Sequence, residues 1–132
     1  MLRTFTCILC PQGCEIQVEL QEETAATRDR KITGNRCPRG AAYVTQEIEA
    51  PVRNIATSVL VEGGELPLAS VRLTRPAPRE RLFDVMGAIK KVKVAAPVRE
   101  GTVVINDVLG LGSDVIVTKT VERGSCDRTV KP

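Results

Sequence analysis

Four of the five cysteines in this chain stand at Cys7, Cys10, Cys14 and Cys37, and the fifth, Cys126, is near the end. Cys7-x2-Cys10-x3-Cys14 packs three thiols into eight residues. A Cys-x-x-Cys turn presents two sulfurs to one side of a loop, and a third cysteine four positions on continues around the same centre. Gly13 would relieve crowding where the backbone bends closely past that centre. Twenty-two residues then intervene before Cys37, which must be returned to the other three by a fold-back of the chain. Whatever the sulfurs share thus constrains the first 50 residues more than any apolar pattern does.

The fold-back is legible. Glu15-Ile16-Gln17-Val18-Glu19-Leu20 alternates polar and apolar, the pattern of a half-buried strand. Gln21 to Arg30 reads as an exposed loop, and Lys31-Ile32-Thr33 as a short strand entering a turn at Gly34-Asn35. After Cys37-Pro38-Arg39-Gly40, Ala41, Val44 and Ile48 share one helical face, which Pro51 ends. The composition changes there. Residues 1–50 carry six basic and seven acidic side chains, and residues 51–100 carry nine and five. The expected organisation is a cysteine-rich metal- or cluster-binding segment over 1–50 and a small α+β domain over 51–132.

In the second part, Thr57–Glu62 and Glu65–Leu68 flank Gly63-Gly64, a hairpin signal that Pro67 confines to an edge or strand end. Val71–Thr74 extends it, and Arg75-Pro76-Ala77-Pro78 is a stiff connector. Leu82, Val85, Met86 and Ile89 at helical spacing predict a helix from about Arg79 to Lys91. Val92–Val94, Thr102–Asn106 and Val115–Thr118 read as strands, with LGLGS supplying turn residues before the last. The expected class is α+β: an antiparallel sheet packed on one main helix.

Several chemistries compete for the four thiols. Two disulfides conflict with a reducing compartment. A structural zinc would tie a short segment together, although zinc ribbons usually present two Cys-x-x-Cys knuckles and Cys37 stands alone. A thioredoxin-like pair is disfavoured by the two neighbouring cysteines and the lack of a preceding βαβ pattern. An iron–sulfur cluster also takes four thiolates, commonly three from one compact loop and one from a distance. The chain has no His, which removes imidazole ligands and His-based acid–base catalysis. Aromatic residues make up 2% and net charge is +3, which argues against a nucleic-acid partner. No Ser or Cys nucleophile with a general base can be picked out, so no catalytic residue is assigned.

CILCPQGC followed by ITGNRCPRG resembles the N-terminal iron–sulfur domain of molybdopterin-dependent oxidoreductases such as formate dehydrogenases and nitrate reductases. The resemblance implies that Cys7, Cys10, Cys14 and Cys37 ligate a [4Fe–4S] cluster, and Arg39 matches the basic position between cluster and pterin. The excursion before Cys37 is somewhat shorter than in those enzymes. The chain is far too short to hold a pterin, so the cluster is carried over and the molybdenum chemistry is not. The whole chain resembles an uncharacterised family of small bacterial and archaeal proteins with paired cysteines. The likeness rests on the cysteine motif, ITGNRCPRGAAY, the PVR that follows, and APVREGTVVINDVLGLGSDVIVT. That resemblance implies company with FAD-dependent glycerol-3-phosphate-type dehydrogenases of anaerobes.

The sequence-based expectation is therefore a small electron-transfer subunit relaying electrons to or from a flavin-dependent oxidoreductase. The alternative is a Zn2+-stabilised interaction module that assembles or regulates such an enzyme. Gly13, Arg39 and Gly40 are expected around the four cysteine ligands. Lys90, Lys91 and Lys93 read as a solvated helix end, Cys126 as a free thiol of the polar tail, and Gly110-x-Gly112 as a turn rather than a dinucleotide loop. No apolar run approaches a membrane span, and the start makes a poor signal peptide, so the expected location is the cytoplasm.

Overall fold

The computed structural model describes residues 1–20 and 30–125. They form two compact units, Met1–Pro51 and Val52–Pro132.

The first unit is a three-stranded antiparallel sheet and one helix. β1 (Leu2–Thr6), β2 (Glu15–Glu19) and β3 (Lys31–Thr33) lie in that order across the sheet. Ile16 and Val18 alternate into the interior and are fully buried, while Glu15, Gln17 and Glu19 face outward; this is the period-2 pattern of a strand with one wet face. β1, for which no strand is expected from the sequence, pairs with β2 over five positions, from Leu2↔Glu19 to Thr6↔Glu15. α1 (Pro38–Glu49) begins with Pro38 in its first turn, where a missing N–H costs nothing. Its Val44 is buried with Ile16, Val18 and Cys7, and Phe5, Leu20, Ile32, Tyr43 and Ile48 close around them. Arg30 Nη1 donates to Glu49 Oε1 at 3.0 Å and ties the start of β3 to the end of α1.

The second unit belongs to the α+β class. β5 (Ala56–Glu62), β6 (Leu68–Leu73), β8 (Lys93–Ala95), β9 (Val103–Ile105) and β10 (Val115–Val117) form a five-stranded sheet in the order β8-β5-β6-β10-β9. A short ladder joins β4 (Val52–Arg53) to β7 (Ala77–Pro78), so part of the expected stiff connector is paired. The main sheet is antiparallel with one departure: β5 and β8 run parallel, Leu60 opposite Lys93 and Glu62 opposite Ala95. A parallel pair needs a crossover, and the path between β5 and β8 includes β6 and α2 (Leu82–Lys90).

α2 packs on β5, burying Val85 and Ile89 in one cluster with Val59, Val61, Val71, Leu73, Val115 and Val117. Its first expected turn, Arg79–Arg81, is a 3-10 turn instead. Gly63 and Gly64 do not make a two-residue hairpin. β6 starts at Leu68, Val61 N–H donates to Pro67 O at 2.9 Å, and Gly64 bridges to Arg123. Among the described residues, no helix is long and apolar enough to cross a membrane.

Candidate metal centre

Both partners of β2 are antiparallel to it, so the end of β1, the start of β2 and the end of β3 come out at the same edge of the small sheet. Every candidate ligand sits at that edge. Cys7 follows β1 and Cys14 precedes β2, and Cys7 N–H donates to Cys14 O at 2.9 Å, extending the ladder by one rung. Cys10 lies in the hairpin connection between them. Three of the four cysteines therefore belong to one closed loop. Cys37 follows β3 by four residues and is the N-cap residue of α1.

Two contacts draw the Cys37 segment onto the loop. Gly34 (φ 91°) runs so close to the carbonyl of Glu15 that a side chain there would collide with that backbone oxygen. Arg36 Nη1 donates to Gln12 Oε1 at 3.1 Å, linking the residue before Cys37 to the middle of the cysteine loop. Asn35 Nδ2 donates to Cys37 O at 3.1 Å and fixes the turn between them.

Cys7 is buried and contributes to the unit's core, whereas Cys10, Cys14 and Cys37 are half-buried; all four are free thiols. Their sulfurs are not closed into a shell: among the described residues, no three Cys, Asp or Glu side chains have the convergence of a metal site. The donor chemistry nevertheless fits a four-thiolate centre, divided three from one compact loop and one from a distance.

Cys37 has a further property. Its thiol closes no regular capping bond, yet its pKa is lowered. The backbone N–H of Gly40 contributes most, then that of Arg39; partial burial opposes them, and the hydrogen bond and charge of the Arg39 guanidinium add the smaller remaining effects. Amide N–H groups at a helix start favour an anion, and a thiolate is the form that binds metal.

The remaining expected residues take distinct places. Gly40 is buried under Ile16 and Asn35. Gly13 is in the left-handed region (φ 57°) with open space around it, so backbone conformation rather than crowding is what a side chain would oppose there. Arg39 is exposed on the first turn of α1. Arg36 and Gln12, which the sequence reading passed over, carry the contact that joins the two cysteine segments. Their signal was faint, because a hydrogen bond between positions 24 apart leaves no local pattern. Lys90, the last residue of α2, and Lys91 after it are exposed, and Lys93 faces Glu62 at 4.0 Å. Cys126 lies outside the described residues.

Among proteins of curated function, none matches this sequence. The Clostridium perfringens protein CPE0013, solved by NMR, is similar in structure at 19% identity and a TM-score of 0.48, over 63% of this chain and 96% of its own. A family model described as "Protein of unknown function (DUF1667)" matches residues 38–119, from the first residue of α1 to just beyond β10. The match begins one residue after the last candidate ligand and spans more than half of the sequence, so the chain belongs to this family of uncharacterised proteins.

Proposed function

We propose that the first unit holds a [4Fe–4S] cluster on Cys7, Cys10, Cys14 and Cys37, and that the protein relays electrons to or from a flavin-dependent oxidoreductase of the glycerol-3-phosphate dehydrogenase type. The observation that supports the reading is that the segments carrying all four cysteines leave one edge of a small sheet, three on a single hairpin loop and one at a helix start. The cluster, when bound, supplies one-electron chemistry; the chain's own residues hold and orient it and favour the thiolate form of Cys37. Substrate chemistry belongs to the partner's cofactor. The flavoprotein partner comes from the family resemblance of the sequence, to which the geometry adds no support.

One observation favours a second reading, a zinc-stabilised module that assembles or regulates such an enzyme. The described core of the first unit is small, with Ile16, Val18, Val44 and Cys7 its buried members, and a domain of about 50 residues commonly needs a metal or disulfide to be stable. Either metal would meet that need.

Iron, sulfide and zinc content, with a visible spectrum, on protein purified without oxygen separates the two. Four irons and four sulfides with absorption that reduction bleaches support the relay. One zinc and no colour assign the structural module and remove electron transfer.

A further inference from the structure

We infer that Cys7 and Cys14 form a reversible dithiol–disulfide pair in the metal-free chain, exchanging with a small-molecule disulfide, and that the bond withdraws two of the four candidate ligands. The pairing rests on the fold alone. Its consequence for metal rests on the reading above that the four cysteines form one centre.

The register that runs from Leu2↔Glu19 to Thr6↔Glu15 puts Cys7 opposite Cys14 one step further on. The bond from Cys7 N–H to Cys14 O at 2.9 Å makes that position a rung of the ladder. Opposed residues present their side chains to the same face of a sheet. Here it is the face of Phe5 and Ile16, which oppose each other two positions away along each strand. Cys7 is 5% exposed in one cluster with Ile16, Val18 and Val44, and Cys14 packs against that cluster; Cys10 and Cys37 belong to neither group. One apolar environment thus holds two of the four thiols side by side and leaves the other two outside it.

The spacing suits a cross-strand bond. Cα atoms of a hydrogen-bonded antiparallel pair stand about 5.5 Å apart, within the range of about 4.4–6.8 Å that a disulfide bridges. The Cβ atoms at such a position must close by about 1 Å. The rung is the last before the loop, and Gly13 beside Cys14 has open space around it, so this end of the ladder has room to pinch.

Burial orders the exchange. Cys14 is half-buried and Cys7 buried, so the Cys14 sulfur meets the incoming disulfide first, bonding to one of its sulfurs and releasing one small thiol. The Cys7 sulfur then bonds to Cys14 and releases the second. The two cysteines lose two electrons, the small disulfide gains them, and the two cysteine protons end on the two released thiols. Excess small thiol runs the same steps backwards.

The test uses the full chain, freed of metal and reduced, then equilibrated under nitrogen with mixtures of oxidised and reduced glutathione. Remaining thiols are capped with N-ethylmaleimide, and mass spectrometry with fragmentation locates the caps. Cys10 and Cys37 should carry caps while Cys7 and Cys14 are joined, and excess reduced glutathione should return all four to the capped state. In guanidinium chloride the preference should pass to the shorter Cys7–Cys10 and Cys10–Cys14 loops. The Cys7–Cys14 bond should persist in Cys10→Ser. A principal disulfide involving Cys10 or Cys37 in native buffer, the same mixture with and without denaturant, or glutathione adducts without an internal bond overturns the pairing.

Cobalt(II), whose thiolate complexes absorb in the near ultraviolet, reads the consequence. The reduced chain should bind it, the oxidised chain should lose that absorption, and dithiothreitol should restore it. Equal binding by both forms overturns the withdrawal of ligands. No binding by the reduced chain counts against the four-thiol centre and the consequence drawn from it, while the glutathione map still decides the pairing.

Discussion

Gly40 lies directly against Ile16: a Cβ built on the glycine stands 2.9 Å from Ile16 Cδ1 and 3.1 Å from Asn35 Cβ. Ile16 is fully buried, so its tip has little room to move. Asn35 is held by its bond to Cys37 O. Gly40→Ala should therefore cost the first unit about 1–3 kcal/mol through overpacking, despite alanine's better helix propensity. Gly87 of α2 is the control, because a Cβ there meets nothing within 4 Å. Gly87→Ala should stabilise the second unit by about 0.5–1 kcal/mol. Hydrogen exchange resolves the units separately: faster at Ile16 and Val18 in the first variant, slower at Val85 and Ile89 in the second. No change at Ile16 in Gly40→Ala would show that the helix start is loosely packed.

Much of this was legible locally. The alternation of Glu15–Leu20 located β2, Pro38 and Pro51 bracketed α1, the Val85/Ile89 stripe located α2, and the β-branched runs at Val103 and Val115 marked two strands. What escaped was non-local. β1 is short, with only Phe5 half-buried and Leu2 exposed on its outward side, so its register on β2 is set by the ladder rather than by a polar–apolar alternation of its own. The β5–β8 parallel pair joins residues about 30 apart through a crossover, and the Gly63-Gly64 turn yields to the bridge between Gly64 and Arg123. At the candidate centre the spacing of the cysteines was plain. The Arg36–Gln12 contact was not, because each residue alone looks like an ordinary exposed polar side chain.

Loss of Cys37 tests the ligand set. Cys37→Ser keeps a polar N-cap of α1, since serine is a good one, but removes a soft thiolate that iron or zinc requires. Bound metal should fall to near zero, and amide protection should be lost over the first unit while β5, β6 and β10 remain protected. Cys126→Ser, at the polar tail, should leave metal content unchanged. Full metal in Cys37→Ser would exclude Cys37 as a ligand.

The lowered pKa of Cys37 predicts its reactivity in metal-free protein. Backbone amides of Gly40 and Arg39 act ahead of the Arg39 side chain, so Arg39→Gln should raise the alkylation midpoint only slightly and leave it below that of an ordinary thiol. Because folding lowers this pKa, the thiolate favours the folded unit above the unfolded thiol's pKa, and that contribution disappears as pH falls through the lowered value. Peptide mapping of iodoacetamide labelling against pH reads the midpoint directly. A midpoint in Arg39→Gln equal to that of an unstructured thiol would give the guanidinium, not the helix start, the main role.

Ser113 organises the most conformationally demanding segment of the second unit. Asp107, Leu109, Gly110 and Gly112 all have left-handed φ, from 44° to 71°, and a leucine there costs about 1–2 kcal/mol. The segment is held by Val108 N–H to Ser113 O at 2.8 Å, Gly112 N–H to Asp107 Oδ1 at 2.7 Å, and Asp107 N–H to Asp114 Oδ1 at 2.8 Å. Ser113, buried, fastens it to the end of β6: its hydroxyl accepts from Arg75 N–H at 3.0 Å and donates to Arg75 O at 2.9 Å. Ser113→Ala would leave both backbone groups of Arg75 without that partner and should cost about 1–3 kcal/mol. Leu109→Gly relieves the backbone cost at an exposed position and should be neutral or stabilising by up to about 1 kcal/mol. Thermal melts of the two variants, shifted in opposite directions, would show that the hydroxyl holds the loop in a conformation its own sequence resists. Equal destabilisation would mean that the Leu109 side chain contributes packing that outweighs its backbone strain.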